Sequence, residues 1–311
     1  MQVGVQSERR RPAAGLRQRE REVYAGTRPA PERPFMPLAL VIASHVAASR
    51  VGGTVASLAL ALSPAEVDPV HIPTTLLGRH PGWGRPGGGL VAASTMMGML
   101  EGVEANGLFA LCDAVMTGYL ATPDQAAVAA SAIARARAAN PKVIVVVDPV
   151  MGDDPGGLYV PEDVALEIGR GLVPLADVIT PNRFELSRLA GRPIDTLADA
   201  RAAAGGLGCA VLLTSAPAPA GETAAALFTD AGAWTCRHPR RDTAVKGTGD
   251  LVAAAFVARR LEGLSASEAF ASAMAVTAHL IDSAVAWSAP ELPIVGDREA
   301  WAAAPLPLEP L

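Results

Sequence analysis

The stretch Val143-Ile144-Val145-Val146-Val147-Asp148-Pro149-Val150-Met151-Gly152-Asp153 decides the fold. Its first five residues are apolar and β-branched without alternation, as expected of a strand buried on both faces at the centre of a parallel sheet. The run breaks at Asp148 and Pro149, leaving two carboxylates, Asp148 and Asp153, at the strand's carboxyl end, where sheets of this kind place their ligands. Working outward, further short strands read at Leu38–Ala43, Asp113–Thr117, Asp177–Ile179, Ala210–Thr214 and Ala225–Thr229, separated by Ala- and Leu-rich helical stretches. That alternation implies an α/β chain with a doubly wound, mostly parallel central sheet and helices on both faces. Two helix starts are explicit. Thr122-Pro123-Asp124-Gln125 offers a cap, a proline at the first helical position and a reciprocal Gln, opening a helix to about Ala139. Ser265 with Glu268 repeats the pattern for a helix ending near Ala286.

The chain has 311 residues, 50% hydrophobic and 18% charged, with a net charge of −5. No basic footprint argues for a nucleic-acid partner. No unbroken apolar run approaches the ~18 residues of a bilayer span, so no membrane segment is expected. Cys112, Cys209 and Cys236 form no CxxC pair and leave one unmatched, which suits reduced core thiols in a cytoplasm better than a disulfide framework. Residues 1–36 hold eight arginines, four glutamates and several prolines. They read as a disordered basic extension, or as a start placed ahead of Met36, and the interspersed glutamates count against a transit peptide. One domain, residues 37–289, follows, and the proline-rich tail 290–311 is expected to be irregular.

Lys246-Gly247-Thr248-Gly249-Asp250 runs directly into the helical composition of Leu251–Phe256. Two glycines let successive N–H groups turn into one cavity at the positive end of a helix, which makes an anion hole. Asp250 at its rim can accept a proton from a hydroxyl while the amides stabilise a transferring phosphoryl group. The plainer reading is a loop-to-helix turn with a favourable first-turn carboxylate. Three other clusters fall at strand ends. Asp148 and Asp153 suit a hard cation. Thr180-Pro181-Asn182-Arg183-Phe184-Glu185 places Asn182 and Glu185 three apart on one helical face. Thr214-Ser215 closes the next strand. Each alone reads as a turn or cap, but together they converge on one edge of the sheet.

Other chemistries are excluded by their missing motifs. There is no GxxxxGK[ST], no HRD/DFG pair, no HExxH and no GxSxG. Gly82–Gly87 matches GxGxxG, but Pro86 and the following glycines prevent a helix from starting there, so a flexible substrate loop fits better than a dinucleotide site. Of five histidines only His80, beside that loop, sits near the candidate chemistry.

These motifs, taken in order, resemble the pyridoxal kinases of the ribokinase-like superfamily from about Leu38 to Leu261. The matching segments are Ser44-His45-Val46 with Val51-Gly52, Thr117-Gly118-Tyr119, Asp148–Asp153, Tyr159-Val160-Pro161, Pro174–Asp177, Thr180–Leu186, Thr214-Ser215 and Gly247–Asp250. The resemblance implies Asp250 as catalytic base, with Gly247, Thr248 and Gly249 forming the anion hole. It implies nucleotide contacts at Asp148, Asn182, Glu185, Thr214, Ser215 and Thr248, and a metal region at Asp148, Asp153, Glu185 and Thr180. Ser44, Val51, His80 and Tyr119 match positions lining the vitamer pocket, and residues 152–159 match a flap over ATP. ATP as co-substrate, Mg2+, a monovalent cation such as K+ and a cytoplasmic homodimer are further implications. Two segments depart from the family: its VGN reads Val51-Gly52-Gly53, and its aromatic-Ser-Asn-His-Thr-Gly reads Leu77-Gly78-Arg79-His80-Pro81-Gly82, which loses a hydroxyl at Pro81.

The expected activity is therefore ATP-dependent phosphorylation of the 5′-hydroxymethyl group of pyridoxal or a related B6 vitamer. The competing readings are a hydroxymethylpyrimidine-type kinase, a vitamer-binding protein with weak or no turnover and, on the Gly82–Gly87 string alone, a nicotinamide oxidoreductase.

Overall fold

Strand β1 (Leu38–Val46) shows how the sheet is built. Ala39, Val41 and Ala43 face one hydrophobic core and Leu40 and Ile42 the other, the period-two alternation of a strand covered on both sides. The computed structural model describes residues 36–243 and 245–311. The expectations for residues 1–35 lie outside the described residues.

The chain continues through α1 (Gly52–Leu62), β2 (Asp68–Leu77), β3 (Gly88–Leu90), α2 (Ala93–Ala105), β4 (Cys112–Thr117) and α3 (Pro123–Ala139) to β5 (Ile144–Val147). A two-stranded hairpin, β6 (Gly152–Asp153) and β7 (Gly157–Leu158), precedes α4 (Glu162–Glu167) and β8 (Val178–Ile179). Next come α5 (Arg183–Ala190), α6 (Leu197–Ala204), β9 (Ala210–Ala216), β10 (Glu222–Thr229), β11 (Gly232–Pro239), α7 (Thr248–Leu261), α8 (Ala266–Ala286) and β12 (Glu309–Pro310). The ten-stranded sheet has the order β12-β11-β10-β9-β8-β5-β4-β1-β2-β3. Pairing is parallel from β2 through β9 and antiparallel at both margins. The doubly wound, mostly parallel α/β sheet is thus as expected.

Helices α1, α7 and α8 cover one face, and α2 to α6 the other. Residues Leu251–Arg259 of α7 are buried on every side, which its alanine-rich sequence permits by letting neighbours approach closely. Helix α8 has a mean hydropathy of 1.4 over 18 residues, enough by length and composition for a bilayer span, although Glu268 and Asp282 interrupt any pure apolar run. Of that window, 61% is buried inside the protein, so its apolar surface is used as core.

Three local findings correct or add to the expectations. Strand β2 does not stand out in the sequence because Pro69 and Pro73 break its pattern; both pair in register with β1 at positions whose missing N–H faces the sheet margin. The Gln125 side chain does not close a capping box on Thr122. Thr122 does accept from the Gln125 N–H at 3.2 Å, but Gln125 Oε1 accepts from Ala121, and its Nε2 donates to the Thr74 and Val91 carbonyls at 2.8 Å each. A fully buried amide must satisfy both ends, and the neighbouring strand carbonyls do so. Finally, the segment after Pro290 has only the turn Arg298–Ala302 and β12 as regular structure, yet it is docked on the core. Leu292, Ile294 and Trp301 are buried against α7 and α8, Arg259 lies over the Trp301 ring at 5.3 Å, and β12 pairs with β11.

Candidate active site

Strand β1 is followed by β2 on one side of the sheet, while β4, β5, β8 and β9 extend on the other. The order reverses between β1 and β4, and a crevice of about 1230 Å³ opens there at the carboxyl ends of the parallel strands. It gathers Ser44, Val51, His80 and Tyr119 with Asp148, Asp153, Thr180, Asn182, Glu185, Thr214, Ser215 and Gly247–Asp250. Every residue singled out from the sequence therefore borders one cavity.

Gly247 caps α7 with φ +82°, and a Cβ there would lie 2.4 Å from the Arg50 carbonyl oxygen. Only glycine allows both the left-handed backbone and that approach. The turn brings Asp250 into the first turn of α7, where its Oδ2 accepts from the Gly52 N–H at 2.9 Å. Its Oδ1 lies 3.9 Å from the place a Cβ on Gly118 would take, directly beyond β4. Burial pushes the Asp250 carboxyl up to about 6, against the opposing effect of the Gly52 hydrogen bond. The loop that supplies this N–H is held from outside the crevice: Arg50 N–H donates to Glu291 Oε1 at 2.7 Å.

On the same side, Asp148 is buried and its carboxyl is raised well above the ordinary range by burial and by the charges of Glu185 and Asp250. Glu185 is raised to about 7 by burial, although both its oxygens are engaged. Oε1 accepts from Met151 N–H at 2.9 Å and Oε2 from Asn182 N–H at 2.8 Å, while Asn182 caps α5 by accepting from Glu185 N–H at 2.9 Å. Asn182 also donates to the Gly152 carbonyl at 2.7 Å, and Arg183 pairs with Asp154 at 2.8 Å. Asn182 and Glu185 thus clip the β6–β7 hairpin to the start of α5. Tyr159, quoted from the sequence only as part of a motif, lines the crevice beyond that hairpin. Its hydroxyl pKa is raised by burial and by the carboxylates around it.

Among the described residues no group of three or more His, Cys, Asp or Glu side chains is spaced to enclose a metal ion. Asp148, Asp153, Glu185 and Thr180 are not gathered into a chelate, since both Glu185 oxygens hold amides and Asp153 lies exposed on the hairpin. The arrangement still fits one kind of cation site. Carboxylates that repel one another share the crevice, and the buried Thr180 hydroxyl lies against the Asp148 carboxylate. A divalent cation held by one or two carboxylates together with phosphate oxygens and water matches such a donor set. Thr214 Oγ1 donates to the Pro181 carbonyl at 3.3 Å and borders the same end.

The acceptor side is more open. Ser44, Val46, Thr75 and Leu77 form the wall, and the loop from Gly78 to Leu90 forms the rim. His80 Nδ1 accepts from Gly82 N–H at 3.0 Å, and its pKa is lowered by burial and by Lys246. The Gly53 departure has a steric counterpart: a Cβ at Gly53 would lie 2.3 Å from His71 Nε2. The imidazole fills the space a side chain at 53 would need and donates to the Ala43 carbonyl at 3.1 Å. Thr75 lines the crevice without having been singled out from the sequence, and Lys246 and Tyr159, quoted there only within motifs, line it too.

The family model described as Phosphomethylpyrimidine kinase matches residues 107–294. The pyridoxal kinase PdxY of Deinococcus radiodurans is 36% identical over 256 residues, covering 78% of this chain and 85% of that protein. The pyridoxal kinase PdxY of Corynebacterium diphtheriae is 37% identical over 270 residues, covering 84% of this chain and 94% of the relative. Among solved structures, pyridoxal kinase from Leishmania donovani in complex with ADP and pyridoxamine superposes with a TM-score of 0.81 at 29% identity, covering 88% of this chain and 99% of that one. A sheet that reverses at β1 and β4, motifs that meet at that reversal, and identities above one third across most of each relative all agree: the chain belongs to the pyridoxal kinase family and is a phosphotransferase of ribokinase-like fold.

Proposed function

We propose that this chain transfers the terminal phosphoryl group of ATP to the 5′-hydroxymethyl group of pyridoxal or a related B6 vitamer, giving pyridoxal 5′-phosphate and ADP. One observation carries the reading: the Asp250 carboxylate, held by the Gly52 amide at 2.9 Å at the opening of α7, faces the strand-order reversal where an alcohol and a triphosphate can meet. Asp250 takes the hydroxyl proton as the new oxygen–phosphorus bond forms and the bond to ADP breaks. The N–H groups of Thr248 and Gly249, in the first turn of α7, have no intrahelical partner and stabilise charge on the transferring group.

Asp148 and the Thr180 hydroxyl are the groups to hold Mg2+, which when bound with the nucleotide neutralises charge between its phosphates. Asn182 and Glu185 act one step back by fixing the hairpin against α5. Thr214 and Ser215 border the nucleotide, and Thr180 with Thr214 border a monovalent cation. Ser44, Val51, His80 and Tyr119 line the acceptor pocket. The resemblance further supports a cytoplasmic location and a homodimer, the latter tested by light scattering on the purified chain.

The description of the matching family model favours a second reading, in which the acceptor is a hydroxymethylpyrimidine. An ADP-release assay across pyridoxal, pyridoxine, pyridoxamine and hydroxymethylpyrimidine, on wild type and Asp250→Asn, separates the two. Vitamer-dependent ADP formation lost in Asp250→Asn supports the first reading. Turnover of the pyrimidine alone supports the second, and vitamer binding without ADP from any acceptor sinks both.

A further inference from the structure

Among the described residues, the buried hydroxyls of Ser57, Thr75, Thr117 and Thr180 have no hydrogen-bond partner. Only Thr75 and Thr180 of these line the crevice, and Thr180 sits beside Asp148. Thr75 lies on the other side, 1% exposed, in β2. Strand alternation places it on the same face as Leu77, which lines the crevice too, as do Ser44 and Val46 on neighbouring β1. The adjacent Thr74 points the opposite way, and its hydroxyl donates to the Tyr119 carbonyl at 2.7 Å. Strand β2 therefore satisfies the Thr74 hydroxyl and leaves unpaired that of Thr75, the residue of the two that lines the crevice. A buried hydroxyl without a partner is destabilising, and valine has the same shape without that cost. In the loop that follows, Pro81 has neither N–H nor hydroxyl, and His80, whose Nδ1 accepts from Gly82, keeps its Nε2–H as a ring donor on the other side of the pocket.

We propose that Thr75 is a specificity-determining residue whose hydroxyl hydrogen-bonds a polar atom on the heteroaromatic ring of the acceptor, the ring nitrogen or the ring hydroxyl. The inference rests on the reading of the acceptor as a B6 vitamer.

Thr75→Val tests it by removing the hydroxyl at constant shape. We expect kcat/KM for pyridoxal to fall about tenfold, as for loss of one buried hydrogen bond, with KM for ATP unchanged and activity retained in Thr75→Ser. Because no bond within the protein is lost, the melting temperature of ligand-free Thr75→Val should equal or exceed that of wild type. Two analogues of pyridoxal locate the contact, one with C–H in place of the ring nitrogen and one without the ring hydroxyl. Wild type and Thr75→Val should use one of them equally well. Unchanged kcat/KM for pyridoxal in Thr75→Val, the same loss on both analogues, or a lowered melting temperature with uniform loss on all acceptors would overturn the proposal. If wild type phosphorylates no vitamer, the proposed function fails separately, and calorimetric titration of pyridoxal into wild type and Thr75→Val still decides the contact: equal affinities overturn it, and a tenfold weaker variant supports it.

Discussion

At the ends of β5 and β8 and the start of α7, polar side chains are held by the backbone: Glu185 accepts two amides, Asn182 caps a helix and ties the hairpin, and Asp250 is fixed by Gly52. Where β1 and β2 end, Val46 and Leu77 share the wall with the hydroxyl residues Ser44 and Thr75, and the loop from Gly78 to Leu90 is largely exposed. The contrast follows from what each side must handle. Charge developing on a transferring phosphoryl group is best stabilised by dipoles already in place, so that side is built of groups held by the backbone. Choosing an aromatic alcohol takes apolar surface and a few polar contacts, which a less constrained loop can carry.

The strongest attack on this contrast is Asp250→Ala. Turnover should fall by about a thousandfold or more with little change in nucleotide affinity, and near-normal turnover in steady-state kinetics removes Asp250 as base. In wild type, kcat/KM should fall about tenfold per pH unit below about 6, where burial has moved this carboxyl. Gly247→Ala is next. A Cβ at φ +82° and 2.4 Å from the Arg50 carbonyl forces the turn open, so turnover should drop about a hundredfold and stability by about 1–3 kcal/mol, read from urea melts.

Glu185 sharpens the comparison through stability. Its carboxyl is raised to about 7, above the ~4.3 of an unfolded chain, so between those values the native state binds more protons than the unfolded one. Stability must then decline as pH rises through that window. Melting temperatures of the ligand-free protein from pH 5 to 8 should show a decline in wild type that Glu185→Gln flattens, and parallel profiles contradict the assignment. The smallest effect is expected on the loose side. His80→Ala loses the acceptor for Gly82 N–H, and KM for the vitamer should rise severalfold while KM for ATP stays constant.

Legibility in the sequence follows the same division. Gly247–Asp250, Asp148–Asp153 and Thr180–Glu185 are readable because strand ends and helix starts impose local chemistry: glycine for a left-handed turn, proline at a first helical position, Asn and Glu for reciprocal capping. Strand β2 was hidden by Pro69 and Pro73, whose tolerance depends on the sheet margin that only the assembled fold defines. The docked tail was hidden likewise, because its prolines outweighed Leu292, Ile294 and Trp301 until α7 and α8 gave them a core to enter. No local signal separates Thr75 from Thr74; which hydroxyl stays unpaired is settled by tertiary neighbours. Glu185 was read as a candidate metal-region residue, yet its oxygens are committed to amides of its own cap and of Met151, one of them 34 residues away.

The hydrogen bond from Arg50 to Glu291 has a consequence for biosynthesis. Every motif residue has been translated once Asp250 emerges from the ribosome, but the loop carrying the Gly52 amide gains its outer anchor only with Glu291, and Leu292, Ile294 and Trp301 seat that anchor later still. A chain ending between Asp250 and Glu291 would therefore carry every signature residue while lacking the outer anchor of the loop that holds the base.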